Sequence, residues 1–287
     1  MNKQKLTDNS LIGFIKQLID RIGKHDVPGL SAQLSYFFLL SLFPFMIFLV
    51  TLLGYLPFND IDVMNFLSDY APAETINLLN NTITEVMNNR NSGLLSIGII
   101  GTLWSASNGI NALIRAFNTA YDIEEKRSFF IARGISVILT VAMIVVIIVA
   151  FALPIFGRMI GEYVFSLIGL SDDFVSTWNT LRWVISSAVF FIVLLMLYKL
   201  APSKHVYFKH TYVGALFATV FWQLTSLGFS YYVSNMANYS ATYGSLGGVI
   251  IMMFWFYLSG IIVMVGGEIN ALFAERRERI RTSSVSE

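Results

Sequence analysis

Glu268 is the one charged side chain between Lys209 and Glu275, and it closes an apolar stretch long enough to cross a membrane. A carboxylate carried into lipid costs on the order of several kcal/mol unless it is paired. Its presence there demands a partner or a task. Trp104, Asn108, Asn111, Arg115 and Asn118 follow at spacings of four, three, four and three, so they share one stripe of a helix. Amides and a guanidinium so placed either bond across to neighbouring helices and hold a bundle together, or line a solvated pathway. Thr219, Gln223, Ser226 and Ser230 form a weaker second stripe, because Ser and Thr can bond their own helix backbone; Gln223 is its informative member. Gln33 and Tyr36 lie near one end of another apolar stretch. Glu268 and Asn270 leave their helix about 200° apart, and Gly266 and Gly267 beside them allow another backbone to approach closely.

Counting inward from Gly93 and from Gly247 puts Arg115 and Glu268 at nearly equal depth. An Arg115–Glu268 ion pair is therefore the expectation, with a Glu268 that snorkels to the interface as its rival. Other chemistry finds little support. Cysteine is absent, and His25, His205 and His210 have no spacing to carboxylates that makes a metal site. No Gly-rich phosphate loop, nucleophile elbow or pair of intramembrane carboxylates occurs, and Asp172-Asp173 reads as a solvated turn. Neither catalysis nor a cofactor nor a metal is expected. A net charge of +1 provides no basic field for nucleic acid.

The elements that must position these residues are membrane helices. The 287-residue chain is 55% hydrophobic and only 13% charged, and its mean hydropathy is +0.65. Stretches free of Asp, Glu, Lys and Arg run over 27–59, 91–114, 134–157, 183–198 and 210–267. A helix rising about 1.5 Å per residue crosses roughly 30 Å of hydrocarbon in about 20 residues, so the last stretch is two helices, divided at the polar segment 234–245. The expected fold is all-α, a polytopic bundle of six transmembrane helices. The spans are placed at about 31–56, 93–114, 134–157, 181–200, 211–233 and 246–272, within a domain of residues 29–274. Residues 1–28 form an amphipathic N-terminal segment and 275–287 a basic tail. In the former, Ser10 can cap a helix carrying Leu11, Ile15, Leu18 and Ile22 on one face, with Lys16, Arg21 and Lys24 free to meet anionic headgroups. The helix either lies in the membrane interface or packs on the protein's own end. Ile76, Leu79, Ile83 and Val86 mark a short helical cap or lid in the connection 57–92. Lys and Arg concentrate in alternate connections, which by the positive-inside rule puts both termini in the cytoplasm.

The motifs carry a resemblance. Ala32-Gln33-Leu34-Ser35-Tyr36-Phe37 followed by Ser41-Leu42-Phe43-Pro44, then Asn118-Thr119-Ala120-Tyr121, Gly214-Ala215, Trp255-Phe256-Tyr257 and Gly267-Glu268-Ile269-Asn270-Ala271 resemble the YihY/BrkB family of bacterial inner-membrane proteins. The similarity covers residues 10–275; Gly267 stands where the family pattern has Ala. Membership implies a six-helix protein of the bacterial cytoplasmic membrane. An old ribonuclease label comes with the family, as do descriptions as transporters and links to virulence and envelope lipids. The residues lend the ribonuclease label no support.

These readings converge on a transporter or lipid translocase with a partly polar cavity open to the cytoplasm. The first, second, fifth and sixth spans would line it while the third faces lipid. Its pathway residues are Gln33, Tyr36, Asn108, Asn111, Arg115, Asn118, Gln223, Glu268 and Asn270. Arg115 would attract an anion, and Glu268 would orient Arg115 or carry a coupling proton. A non-catalytic envelope scaffold, with the same residues as glue, is the alternative, and a membrane-embedded enzyme stands third. Partners would be membrane lipids and a small solute or lipid substrate; self-association into a homo-oligomer stays open.

Overall fold

Each apolar run folds into a helix because a backbone in lipid must satisfy its N–H and C=O groups within its own segment. The computed structural model describes residues 11–53, 55, 91–144, 172–203, 206–236 and 246–283, and all regular structure among them is helical. Helix α1 spans Leu11–Lys24, α2 Val27–Leu53, α3 Ser92–Ala120 and α4 Phe129–Ile144. Helix α5 spans Asp172–Leu200, α6 Tyr212–Met236 and α7 Leu246–Ser283. Segments of α2, α3, α6 and α7 are long and apolar enough to cross a bilayer, while α4 and the Val184–Leu200 part of α5 are shorter apolar helices. The expected Ser10 cap, the helix in 57–92 and the far part of the third span lie outside the described residues. α7 passes the expected end at 272 and remains helical to Ser283. Its Ala-Glu-Arg-Arg-Glu-Arg sequence contains good helix formers and no breaker.

The chain divides into two compact units, one of Phe37–Ala106 and one of Met1–Tyr36 with Ser107–Glu287. In the first, α3 approaches α2 closely: a Cβ at Gly98 would stand 2.7 Å from the Phe48 backbone nitrogen. α2 runs through Pro44 without a break, as membrane helices tolerate.

The core of the second unit is built on the face of α3 opposite its polar stripe. Ile110, Leu113 and Phe117 are buried there with Leu194, Leu197 and Tyr198 of α5 and Met264 and Leu272 of α7. Phe117 meets Tyr198 edge-on at 5.1 Å, and the Tyr198 hydroxyl donates to the Val263 carbonyl at 2.7 Å. α6 and α7 meet backbone to backbone, since a Cβ on Gly214 would strike the Gly266 carbonyl, which is how small residues bring membrane helices together. Trp222 locks the same pair further along, donating to Ser259 Oγ at 3.0 Å.

α1 packs on the extension of α7, with Phe14 and Phe273 rings 5.2 Å apart and Arg276 over the Phe14 ring. Beside that docked face, Leu11, Ile12, Ile15 and Ile19 remain exposed, and beyond them come exposed Lys16, Asp20 and Lys24. Going round the helix there are thus a docked sector, an apolar exposed sector and a polar sector.

Candidate functional site

Three clusters make up the candidate site, two of them polar and one apolar. At the α1 end of the bundle, Glu268 is only 1% exposed. Its Oε2 accepts from Arg21 Nε at 2.8 Å, and its Oε1 lies 2.6 Å from His25 Nδ1. Arg21 also donates to Glu275 Oε1 at 2.5 Å and to the carbonyl of Ala120, an acceptor in the last turn of α3 that the helix leaves unsatisfied. Burial opposes the Arg21 charge, but hydrogen bonds and attraction from Glu275 and Glu268 outweigh it and raise the group further. The buried Tyr121 hydroxyl has no hydrogen-bond partner among the described residues. Burial first, then the negative Glu268, pushes that phenol up. Arg21 thus pins α1 to α7 through the Glu268 and Glu275 carboxylates and to α3 through the Ala120 carbonyl.

The expected Arg115–Glu268 pair does not form. Gly267 packs against the Phe117 ring, where a Cβ would stand 2.6 Å from it, so α7 faces the Phe117 side of α3. Arg115 leaves that helix about 200° round from Phe117. Depth along a helix was a sound guide to the level of Glu268 to within about a turn, and azimuth overruled it.

The second cluster is the stripe itself. Arg115 is exposed and donates to Gln33 Oε1 on α2; among the described residues no carboxylate lies within ion-pair distance of it. Asn111 is half-buried on the next turn. Asn108 accepts from Arg133 Nη1 near the head of α4, so the third span, expected to face lipid, contributes a cation. Tyr36, 56% exposed, stands on α2 a turn from Gln33. Asn118 ends the stripe differently. It is buried, donating to Ser203 Oγ at 2.8 Å and to Glu125 Oε2 at 3.0 Å while accepting from Ser203 N–H at 2.8 Å. Arg127 clasps the same Glu125 through Nε and Nη2 at 2.8 and 2.7 Å. The Arg127 hydrogen bonds hold the Glu125 carboxyl down at about 2 despite some burial.

Gln223 and Asn270 are likewise structural. Gln223 donates to Ser187 Oγ at 2.7 Å, tying α6 to α5. Asn270, fully buried, accepts from the Gly214 N–H at 2.7 Å and so satisfies an amide in the first turn of α6.

The third cluster is an apolar groove of about 590 Å³ where α2, α6 and α7 meet, lined among others by Ala32, Ser35, Phe229, Tyr232, Ile250 and Phe254. Sequence reasoning missed this groove, and with it the roles of His25 and Arg133, and it assigned Arg21 to anionic headgroups, whereas Arg21 turns inward to Glu268 and Glu275. Arg21 and His25 carried a legible signal, two cation-capable groups spaced four apart. Among the described residues no three His, Asp or Glu side chains gather where a metal ion could be held.

An all-helical bundle with several bilayer-length apolar helices and a polar stripe along one of them defines an integral membrane protein. The chain belongs to the BrkB virulence-factor family, whose sequence pattern matches residues 18–286. It is 51% identical over 267 residues to YfkH of Bacillus subtilis (strain 168), whose name calls it ribonuclease-like, covering 93% of this chain and 97% of that protein. A UPF0761 membrane protein of Photobacterium profundum is 30% identical, with 93% and 82% of the two chains covered. Another, from Vibrio vulnificus (strain YJ016), is 27% identical, with 96% and 86% covered. No solved structure matches the chain.

Proposed function

We propose that this is a transporter or lipid translocase of the bacterial cytoplasmic membrane, with its pathway along the stripe of α3. The single observation that carries the reading is Arg115: an exposed guanidinium on a membrane helix, bonded to a neutral amide. Arg115 lies two residues along α3 from Phe117, the residue that meets Gly267, so this charge sits within about a turn of the level of Glu268, at the edge of the span. A cation at the edge of a membrane helix with only a neutral amide beside it suits a route for charged cargo. The pathway group narrows to Gln33, Tyr36, Asn108, Asn111 and Arg115. Glu268 serves it indirectly by fixing α1, whose exposed Leu11, Ile12, Ile15 and Ile19 suit the headgroup boundary. The excess of Lys and Arg at the α1 end supports a cytoplasmic placement of that end.

The structural partnerships of Asn118, Gln223 and Asn270 favour a second reading, a scaffold in which polar residues are glue. Substituted cysteines separate the two, since the chain has no Cys of its own. In a pathway, Asn111→Cys and Tyr36→Cys react with a membrane-impermeant thiol reagent, whereas Leu224→Cys on the exposed apolar face of α6 does not. If neither pathway position reacts from either side of the membrane, the transport reading fails. The side from which they react tells to which face of the membrane the pathway opens.

A further inference from the structure

The stripe on α3 holds two guanidiniums from different sources. Arg115 belongs to α3 and Arg133 reaches in from α4 to Asn108. Asn108 and Arg115 are seven residues apart, about 10 Å along the helix, with Asn111 between them on the same face. Gln33 cannot neutralise the cation it meets, and no described carboxylate is within ion-pair distance of Arg115. A bound anion would supply the balancing charge. Guanidinium forks match phosphate oxygens bidentately and are weakly hydrated, which makes them the natural phosphate readers of a partly dry site.

The apolar groove supplies the other half of an amphiphile. On α2, Gln33 faces Arg115 while Ala32 and Ser35, in the same turn, line the groove. Tyr36 lies between these two sectors and is exposed, with a ring that suits the boundary between a polar head and an apolar chain. A molecule lying across this turn would present a phosphate to Arg115 and an acyl chain to Phe229, Ile250 and Phe254. Deepening the pathway reading, and resting on it for the stripe's exposure to cargo, we infer that the stripe binds the phosphate of an anionic phospholipid, with Arg115 and Arg133 as the phosphate ligands and one acyl chain in the groove between α2, α6 and α7.

The test uses the full chain in nanodiscs of phosphatidylcholine doped with phosphatidylglycerol, followed by release into detergent and native mass spectrometry of retained lipid. Wild type retains phosphatidylglycerol in preference to phosphatidylcholine. Arg115→Gln and Arg133→Gln each weaken that retention about tenfold, the scale of one charge-assisted hydrogen bond. Arg277→Gln, which removes an exposed guanidinium outside the stripe, leaves it unchanged, and so fixes the effect to position rather than net charge. Phe254→Trp, which fills the groove, lowers retention while the thermal midpoint holds. Equal retention of both lipids, or equal losses from Arg277→Gln and Arg115→Gln, overturns the inference. Displacement of phosphatidylglycerol by inorganic phosphate alone would also overturn it, in favour of a free-anion site. Retention reads binding without flux, so its failure and that of the transport reading are distinct. Lipid retained without flux across reconstituted vesicles removes transport and keeps the site; thiol-reactive Asn111→Cys without lipid preference keeps a pathway and removes the site.

Discussion

Removing Arg21 tests the central contact of the α1 end. In Arg21→Ala, Glu268, only 1% exposed in the intact protein, loses the donor to its Oε2 at 2.8 Å. Glu275 and the Ala120 carbonyl lose the same partner. Stripping one side of a buried pair costs about 3–5 kcal/mol, because the remaining charge keeps its desolvation penalty. Arg21 is itself 15% exposed at the side chain, so some water can reach the gap, and the lower end of that range is expected. Unfolding in mixed micelles, followed by tryptophan fluorescence, measures the loss. A double-mutant cycle with Glu268→Ala should give a coupling of about 2 kcal/mol, within the range found for contacting residues. The same cycle between Arg115→Ala and Glu268→Ala should be additive within about 0.5 kcal/mol, because the two side chains leave for different neighbours. A coupling between Arg115 and Glu268 as large as that between Arg21 and Glu268 would refute the assignment of partners. So would an Arg21→Ala cost no greater than that of exposed Lys16→Ala, which should stay within about 0.5 kcal/mol.

Asn270→Ala orphans the Gly214 N–H in a fully buried contact and should cost about 1–3 kcal/mol in the same unfolding measurement. Gly267→Ala pushes a methyl to within 2.6 Å of the Phe117 ring and should destabilise by about 1–3 kcal/mol through overpacking, whereas Gly134→Ala, with nothing near the added methyl, should not. Glu125 has a folded-state pKa depressed from 4.5 to about 2, so the unfolded chain binds more protons between those values. Its contribution to stability should be complete above about pH 4.5 and fall away as the pH drops toward 2; a stability profile of wild type minus Glu125→Gln that is flat over this window would contradict the clasp by Arg127.

Much of the fold was legible because its determinants are one-dimensional. The apolar lengths of 27–59, 91–114 and 210–267 required helices that cross a bilayer, and α2, α3, α6 and α7 occupy them. The helical repeat of Leu11, Ile15, Leu18 and Ile22 announced α1. The stripe on α3 was read correctly as one face, and the opposite face is indeed the buried one. The candidate site was legible only in part. Asn118, Gln223 and Asn270 looked no different in sequence from Asn111 and Arg115, yet three of these five turn out to satisfy specific backbone or hydroxyl groups. Whether an amide is glue depends on what its neighbour offers, and that neighbour is often tens of residues away, as Ser203 and Gly214 are.

By itself the sequence determined that this is a helical membrane protein, that the polar residues of α3 share one stripe, and that Glu268 needs a partner. Only the tertiary structure decided which partner. Spacing along a helix reports depth and azimuth within that helix, but the lateral position of a neighbouring helix is set by packing of whole faces. The close fit of Phe117 on Gly267 turns Arg115 away, and the docking of Phe14 on Phe273 brings Arg21 and His25 over Glu268.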